Sequence, residues 1–141
     1  YCINTITKSM GAADFLLGVC ESWMTPALFL SVAFVAGAVI SFFTGSSWGT
    51  FAICIPIAVP MAYSFTGGQL GTLVYAAVGA VVSGGLFGDH CSPVSDTTVL
   101  SSLGAACDHI DHVRTQLPYA LLAAAVSMIL WVVVAMVGGA A

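Results

Sequence analysis

The chain has 141 residues, of which 60% are hydrophobic and 6% charged, and a formal net charge of −4; its mean hydropathy is +1.07. A soluble domain carries charge on about a quarter of its residues, so this composition excludes a water-facing surface and predicts a membrane protein set in a lipid bilayer. Lys8 and Arg114, the two basic residues, form no basic patch and exclude nucleic acid as a partner, while five cysteines without a CxxC pair indicate neither a disulfide framework nor a zinc ribbon.

The start of the chain lacks a basic region followed by an apolar one and so has no evident cleavable signal. Residues 1–25 read as an amphipathic or interfacial helix: Leu16, Val19, Cys20 and Trp23 recur at helical spacing, with Asp14 and Glu21 on another face. Thr25 suits a helix cap and Pro26 a first turn, and the apolar run Pro26 to Phe43 that follows reaches about 27 Å as a helix, close to the thickness of the hydrocarbon core. This is the first expected span.

Glycines and hydroxyl residues then interrupt the apolar pattern at Thr44-Gly-Ser-Ser-Trp-Gly-Thr50. The next segment, Phe51 to Phe65, is fifteen residues long and contains Pro56 and Pro60, which remove helix donors and clash with the preceding turn. A short, proline-interrupted segment of this kind predicts a broken or re-entrant helix, whose irregular backbone must face protein or water. Thr66 to Gln69 is a turn, and Gly71 to Phe87 is an apolar segment rich in small residues, suited to close packing against other helices.

A single helix from Gly71 to Ala106 would be about 54 Å long, so the chain must break, and Gly84, Gly85 and Gly88 place the break near residues 88–92. Ser92 as cap and Pro93 at the first position start a second segment. Residues 107–116 gather five of the eleven acidic, basic and histidine residues at a membrane surface, and Leu117 to Gly139 forms the second full span. By the positive-inside rule Arg114 lies on the cytoplasmic side. The whole chain, 1–141, is thus expected to be one transmembrane domain of all-α class.

The chemistry is expected between residues 88 and 98, Gly88-Asp-His-Cys-Ser-Pro-Val-Ser-Asp-Thr-Thr98, where two helix ends meet. Free carbonyls at the end of the first segment, with Asp89 just beyond, offer oxygen ligands to a sodium ion, and Ser92, Ser95, Asp96 and Thr97 can add more. The start of the second segment favours an anion, and electrostatics alone leaves both readings open. A carboxylate at bilayer depth costs about 2.5–3.5 kcal/mol on insertion scales, which an ion or proton pathway would explain. An exposed loop carries the same residues at no cost.

Zinc held among Asp89, His90, Cys91, Cys107, His109 and His112 is a rival, although no standard pattern is matched. Asp108, His109, Asp111, His112 and Arg114 read by default as a polar cluster at a helix start and, with two histidines, as a candidate polar gate or pH-sensing entrance. Nothing matches a nucleophile elbow, and no enzyme is expected.

Three blocks, Thr44 to Thr50 with Ile55-Pro-Ile-Ala-Val-Pro60, Gly88 to Thr98, and Cys107-Asp-His-Ile-Asp-His-Val-Arg-Thr-Gln-Leu-Pro-Tyr119, resemble the NhaC-type sodium/proton antiporter family. The resemblance implies one half of an inverted-repeat transporter in a prokaryotic inner membrane, exchanging Na⁺ for H⁺ by alternating access near the midplane, without a cofactor. It implies Na⁺ and proton binding at Asp89 and Asp96 with their hydroxyl neighbours, and at Thr44, Ser46 and Ser47. Relatives exchange organic acids such as malate and lactate, which keeps that substrate class open. The expected partners are the other half of the transporter and, as a further candidate, a second copy in a homodimer; a non-transporting membrane subunit is the reading from another class.

Overall fold

A computed structural model of the chain describes residues 5, 6, 9–11, 15, 18, 19 and 24–138. Asp14 and Glu21, on which the expected polar face of the N-terminal helix rests, lie outside the described residues. All continuous secondary structure from residue 24 onward is helical: α1 (Pro26–Thr44), α2 (Ser47–Phe65), α3 (Thr72–Cys91), α4 (Asp96–Gly104) and α5 (His109–Gly138). Four of these, α1, α2, α3 and α5, are long and apolar enough to cross a membrane. The chain is an all-α, multi-pass membrane protein.

Helix α1 begins as its sequence predicts, with the Thr25 hydroxyl accepting from the Leu28 N–H and Pro26 at the first position. It ends at Gly45, whose φ of 66° only glycine adopts without strain. Ser46 then caps α2 by accepting from the Gly49 N–H. The interruption expected over seven residues is therefore two residues long. Helix α2 also runs without a break through Pro56 and Pro60 over 19 residues, so the short, broken segment expected there is corrected to a full-length helix. Proline is tolerated in such a span because groups packed around it take over the freed backbone positions.

The glycines of α3 do not end it. Gly84 and Gly88 sit where α3 crosses α1: a Cβ on Gly84 would collide with the Phe34 carbonyl, and one on Gly88 with the Ala38 carbonyl. Opposite them, Ala33, Gly37 and Ser41 recur every four residues along α1 and are all buried. Small residues on both helices let the two backbones touch, which replaces the hydrophobic drive that lipid removes. The pairing of Phe34 with Gly84 and of Ala38 with Gly88 makes α1 and α3 parallel, whereas contact of Phe29 with Phe65 makes α1 and α2 antiparallel.

The break after α3 falls at Ser92–Ser95, a few residues later than expected, and Ser95 rather than Ser92 caps the next helix, accepting from the Thr97 N–H. Pro93 lies in the turn, and Asp96 opens α4. Helix α5 is longer than Leu117 to Gly139 because Asp108 caps it at its start, accepting from the Ile110 and Asp111 N–H groups at 2.9 and 3.2 Å. Pro118 therefore sits inside the helix rather than in its first turn. At 30 residues α5 is about 45 Å long, well beyond the hydrocarbon core. Eleven residues of α3 are buried, against Ala135 alone among the described residues of α5. Trp131 fixes α5 to the bundle by donating from its indole N–H to the Ser83 hydroxyl at 3.0 Å.

Candidate functional site

The C-terminal ends of α1 and α3 and the N-terminal ends of α2 and α4 gather at one end of the bundle, and Asp89 lies among them. It is 7% exposed. The Ser47 hydroxyl, in the first turn of α2, donates to one carboxylate oxygen at 3.0 Å; the Ser95 hydroxyl, at the cap of α4, donates to the other at 2.7 Å. Ser47 and Ser95 are themselves buried. Since the single Ser95 proton goes to Asp89, the Thr97 hydroxyl, 2.8 Å from Ser95, is the donor in that pair. A chain of hydroxyls thus runs from α4 through Ser95 to a buried carboxylate.

No salt bridge to Asp89 forms among the described residues. A charge withdrawn from water without a partner costs several kcal/mol, and two neutral hydroxyl bonds return only part of that. Beside the carboxylate lies a cavity of about 470 Å³, lined by Asp89, His90, Thr97 and Ser83, by Phe34, Leu86 and Phe87, and by Ala120, Ala123, Ala124 and Ser127 of α5.

The expected site residues divide. Asp89, Ser47, Ser95 and Thr97 come together in one hydrogen-bonded group. Ser92 is next to it but donates to the Phe42 carbonyl at 2.6 Å, tying the turn to α1. Asp96 is exposed at the first position of α4, where its charge complements the helix dipole. Thr44 is spent on its own helix, donating to the Ile40 carbonyl at 2.8 Å, and Ser46 on capping α2.

In the second cluster, Asp108 is a helix cap, and Asp111 and Arg114 are exposed and form no ion pair with each other. His112 is half-buried. His109 alone reaches toward the first site, with its ring between Ser102 and the Pro93 carbonyl. Among the described residues no group of three or more His, Cys, Asp or Glu side chains gathers to hold a metal, so the side chains weighed for zinc do not converge. Cys54, Cys91 and Cys107 are free thiols.

Sequence reasoning missed the cavity wall. Ser83 lies six residues before Asp89, within two turns of the same helix, and Ala120, Ala123, Ala124 and Ser127 fall at helical spacing on one side of α5. That repeat of small side chains was a signal that one face of α5 stands back from a neighbour.

A buried carboxylate wrapped in hydroxyls at the meeting of helix ends, beside a cavity within a polytopic helical bundle, is the kind of arrangement found where ions or protons cross a membrane. The sequence comparison gives the family: residues 1–136 match the Na⁺/H⁺ antiporter family, and the chain belongs to it. It is 48% identical over 133 residues, 94% of its length, to an uncharacterized protein of Haemophilus influenzae. It is 35% identical to the malate-2H⁺/Na⁺-lactate antiporter of Bacillus subtilis over 81% of its length, and 32% identical to the arginine/ornithine antiporter ArcD of Halobacterium salinarum over 87%. It spans 23–25% of the length of these relatives. No solved structure matches.

Proposed function

We propose that this chain forms part of a secondary antiporter that exchanges Na⁺ for H⁺ across a prokaryotic cell membrane by alternating access, with Asp89 as the group that binds each in turn. The carrying observation is the Asp89 carboxylate itself: buried, held by Ser47 and Ser95, without a cationic partner among the described residues, and open to the cavity between α3 and α5. Each carboxylate oxygen accepts one hydroxyl and keeps a lone pair for an incoming ion. Sodium would meet the carboxylate and the oxygens of Ser47, Ser95 and Thr97. A proton on the same carboxylate would neutralise it and remove the reason for sodium to stay. Asp96, exposed at the start of α4, is assigned the outer part of the ion path. No cofactor enters the exchange, and the remainder of the transporter completes it.

A second reading, exchange of small organic acids, is favoured by the cavity, which is far larger than a sodium ion needs, and by the likeness to the malate-2H⁺/Na⁺-lactate antiporter. The full-length protein, reconstituted in vesicles with a pH-reporting dye inside, should move protons when a sodium gradient is imposed. Asp89→Asn should reduce this flux to background; sodium-driven flux undiminished in that variant would remove Asp89 from the mechanism. Proton flux driven by malate or lactate and absent with sodium alone would favour the second reading.

A further inference from the structure

We propose that His109 is a positioning residue for the Asp89 site: by holding the Pro93 carbonyl it fixes the Ser92–Ser95 turn, from which Ser95 reaches the carboxylate. The proposal rests on the reading of Asp89 as the ion-binding group. His109 is at the start of α5, sixteen residues along the chain from Pro93, and its Nε2 lies 2.7 Å from the Pro93 carbonyl oxygen.

The turn needs outside support. Within it, the Ser95 N–H reaches the Ser92 carbonyl only at 3.4 Å, Pro93 has no N–H to give, and the Val94 N–H finds the Ser92 hydroxyl at 3.2 Å. On the α1 side the turn is secured by the Ser92 hydroxyl on the Phe42 carbonyl and by the close approach of Gly45 to the Val94 carbonyl. On the opposite side the contact is His109. Without it, the turn would keep its ties to α1 and, through Ser92, Ser95 and Thr98, to the end of α3, but the Pro93 carbonyl would be released and the 2.7 Å bond from Ser95 to Asp89 would lose part of its fixed origin.

Counting protons shows which ring nitrogen matters. A carbonyl only accepts, so Nε2 must carry a proton to bond Pro93. Nδ1 lies 3.2 Å from the Ser102 hydroxyl, and that hydroxyl also lies 2.8 Å from the Val99 carbonyl. Ser102 has one proton, which goes either to Nδ1 or to the Val99 carbonyl, since with Nε2 protonated the Nδ1 of a neutral ring only accepts. Both arrangements leave the bond from Nε2 to Pro93 in place. A glutamine amide nitrogen reaches the position of Nε2, whereas an asparagine nitrogen reaches that of Nδ1. His109→Gln should therefore keep the clamp, and His109→Asn and His109→Ala should lose it.

The test uses the full-length protein with a spin label on Val94→Cys, an exposed position in the turn, in a background whose other cysteines are serine. His109→Asn and His109→Ala should make the label more mobile and raise the apparent KM for sodium about tenfold, the scale of one lost hydrogen bond. His109→Gln should match the parent in both measurements to within about twofold, well below the scale of a lost bond. Label mobility unchanged in all three variants would overturn the clamp, and a mobile turn with an unchanged sodium KM would overturn the positioning role. Should the parent protein carry no sodium-coupled flux, the sodium reading falls while the label spectra still judge the clamp.

Discussion

Along the face of α3 turned to α1, Gly84 and Gly88 bring two backbones into contact with no room for a methyl group. Along the face turned to α5, the same helix fronts a cavity of about 470 Å³. The first face is made of Gly84 and Gly88, four residues apart, set against the small residues of α1; the second of Ser83, Leu86, Phe87 and Asp89. One helix therefore is a packed wall on one side and lines a cavity on the other. The lesson is that the small residues of α3 and those of α5 do different things. In α3 they draw a neighbour in, and in α5 Ala120, Ala124 and Ser127 line the cavity beside Asp89.

The comparison breaks most severely on the wall. Gly84→Val would set two methyl groups against the Phe34 carbonyl, which cannot move without parting α1 from α3. Overpacking against a side chain costs about 1–3 kcal/mol; against a backbone the loss should exceed about 3 kcal/mol. The variant should fail to accumulate as folded protein, measured by the fraction that elutes as a sharp species in detergent. A middle effect is expected where the two faces are tied together. Trp131→Phe removes the indole donor to Ser83 and withdraws the outer ring atoms from Gly79. It should lower stability by about 1 kcal/mol, the scale of one hydrogen bond, seen as a lower midpoint of thermal unfolding, with α5 loosened and α1 and α3 still paired.

How far the sequence revealed this arrangement depends on which signal each residue carried. Helix α1, its Thr25 cap and its Pro26 start were legible because capping chemistry is local. The break in the region of Asp89 was legible from length alone, since no single helix could run from Gly71 to Ala106. Its position differs from the expected one because Gly84 and Gly88, which in sequence read as places where a helix fails, lie inside α3. A glycine that ends a helix and one that admits a neighbouring helix look the same until the neighbour is known, and here the neighbour is α1. Pro56 and Pro60 misled for a similar reason: a proline breaks a helix whose freed carbonyls meet no partner, and what surrounds α2 is tertiary information. At the site, Asp89 and Ser95 stood out by scarcity of charge and by spacing. Ser47 was reached only through the family resemblance, since its partner is 42 residues away. The His109 contact with Pro93 was hidden because two separate turns must fold before the ring and the carbonyl meet.

The smallest effect on the fold is expected from the substitution that tests the open face most directly. Ala120→Leu adds three carbons, as many as Gly84→Val, but adds them to a side chain that borders the cavity instead of a backbone crossing. Leucine favours a helix as well as alanine does within a few tenths of a kcal/mol, and the added atoms have space to enter. The midpoint of unfolding should therefore shift by less than the equivalent of about 1 kcal/mol. Transport should respond differently, because the cavity is the route by which a solute reaches Asp89 in the proposed mechanism. Flux through the reconstituted protein should fall severalfold with the fold intact, and Ala120→Gly, which leaves the space open, should keep it. Should Ala120→Leu unfold the protein as Gly84→Val does, the space beside Asp89 is closed by packing in the assembled transporter, and the two faces of α3 are alike after all. Should it fold and transport at the parent rate, the ion reaches Asp89 from the side of Ser47 and the ends of α1 and α2, and the cavity is not on its path.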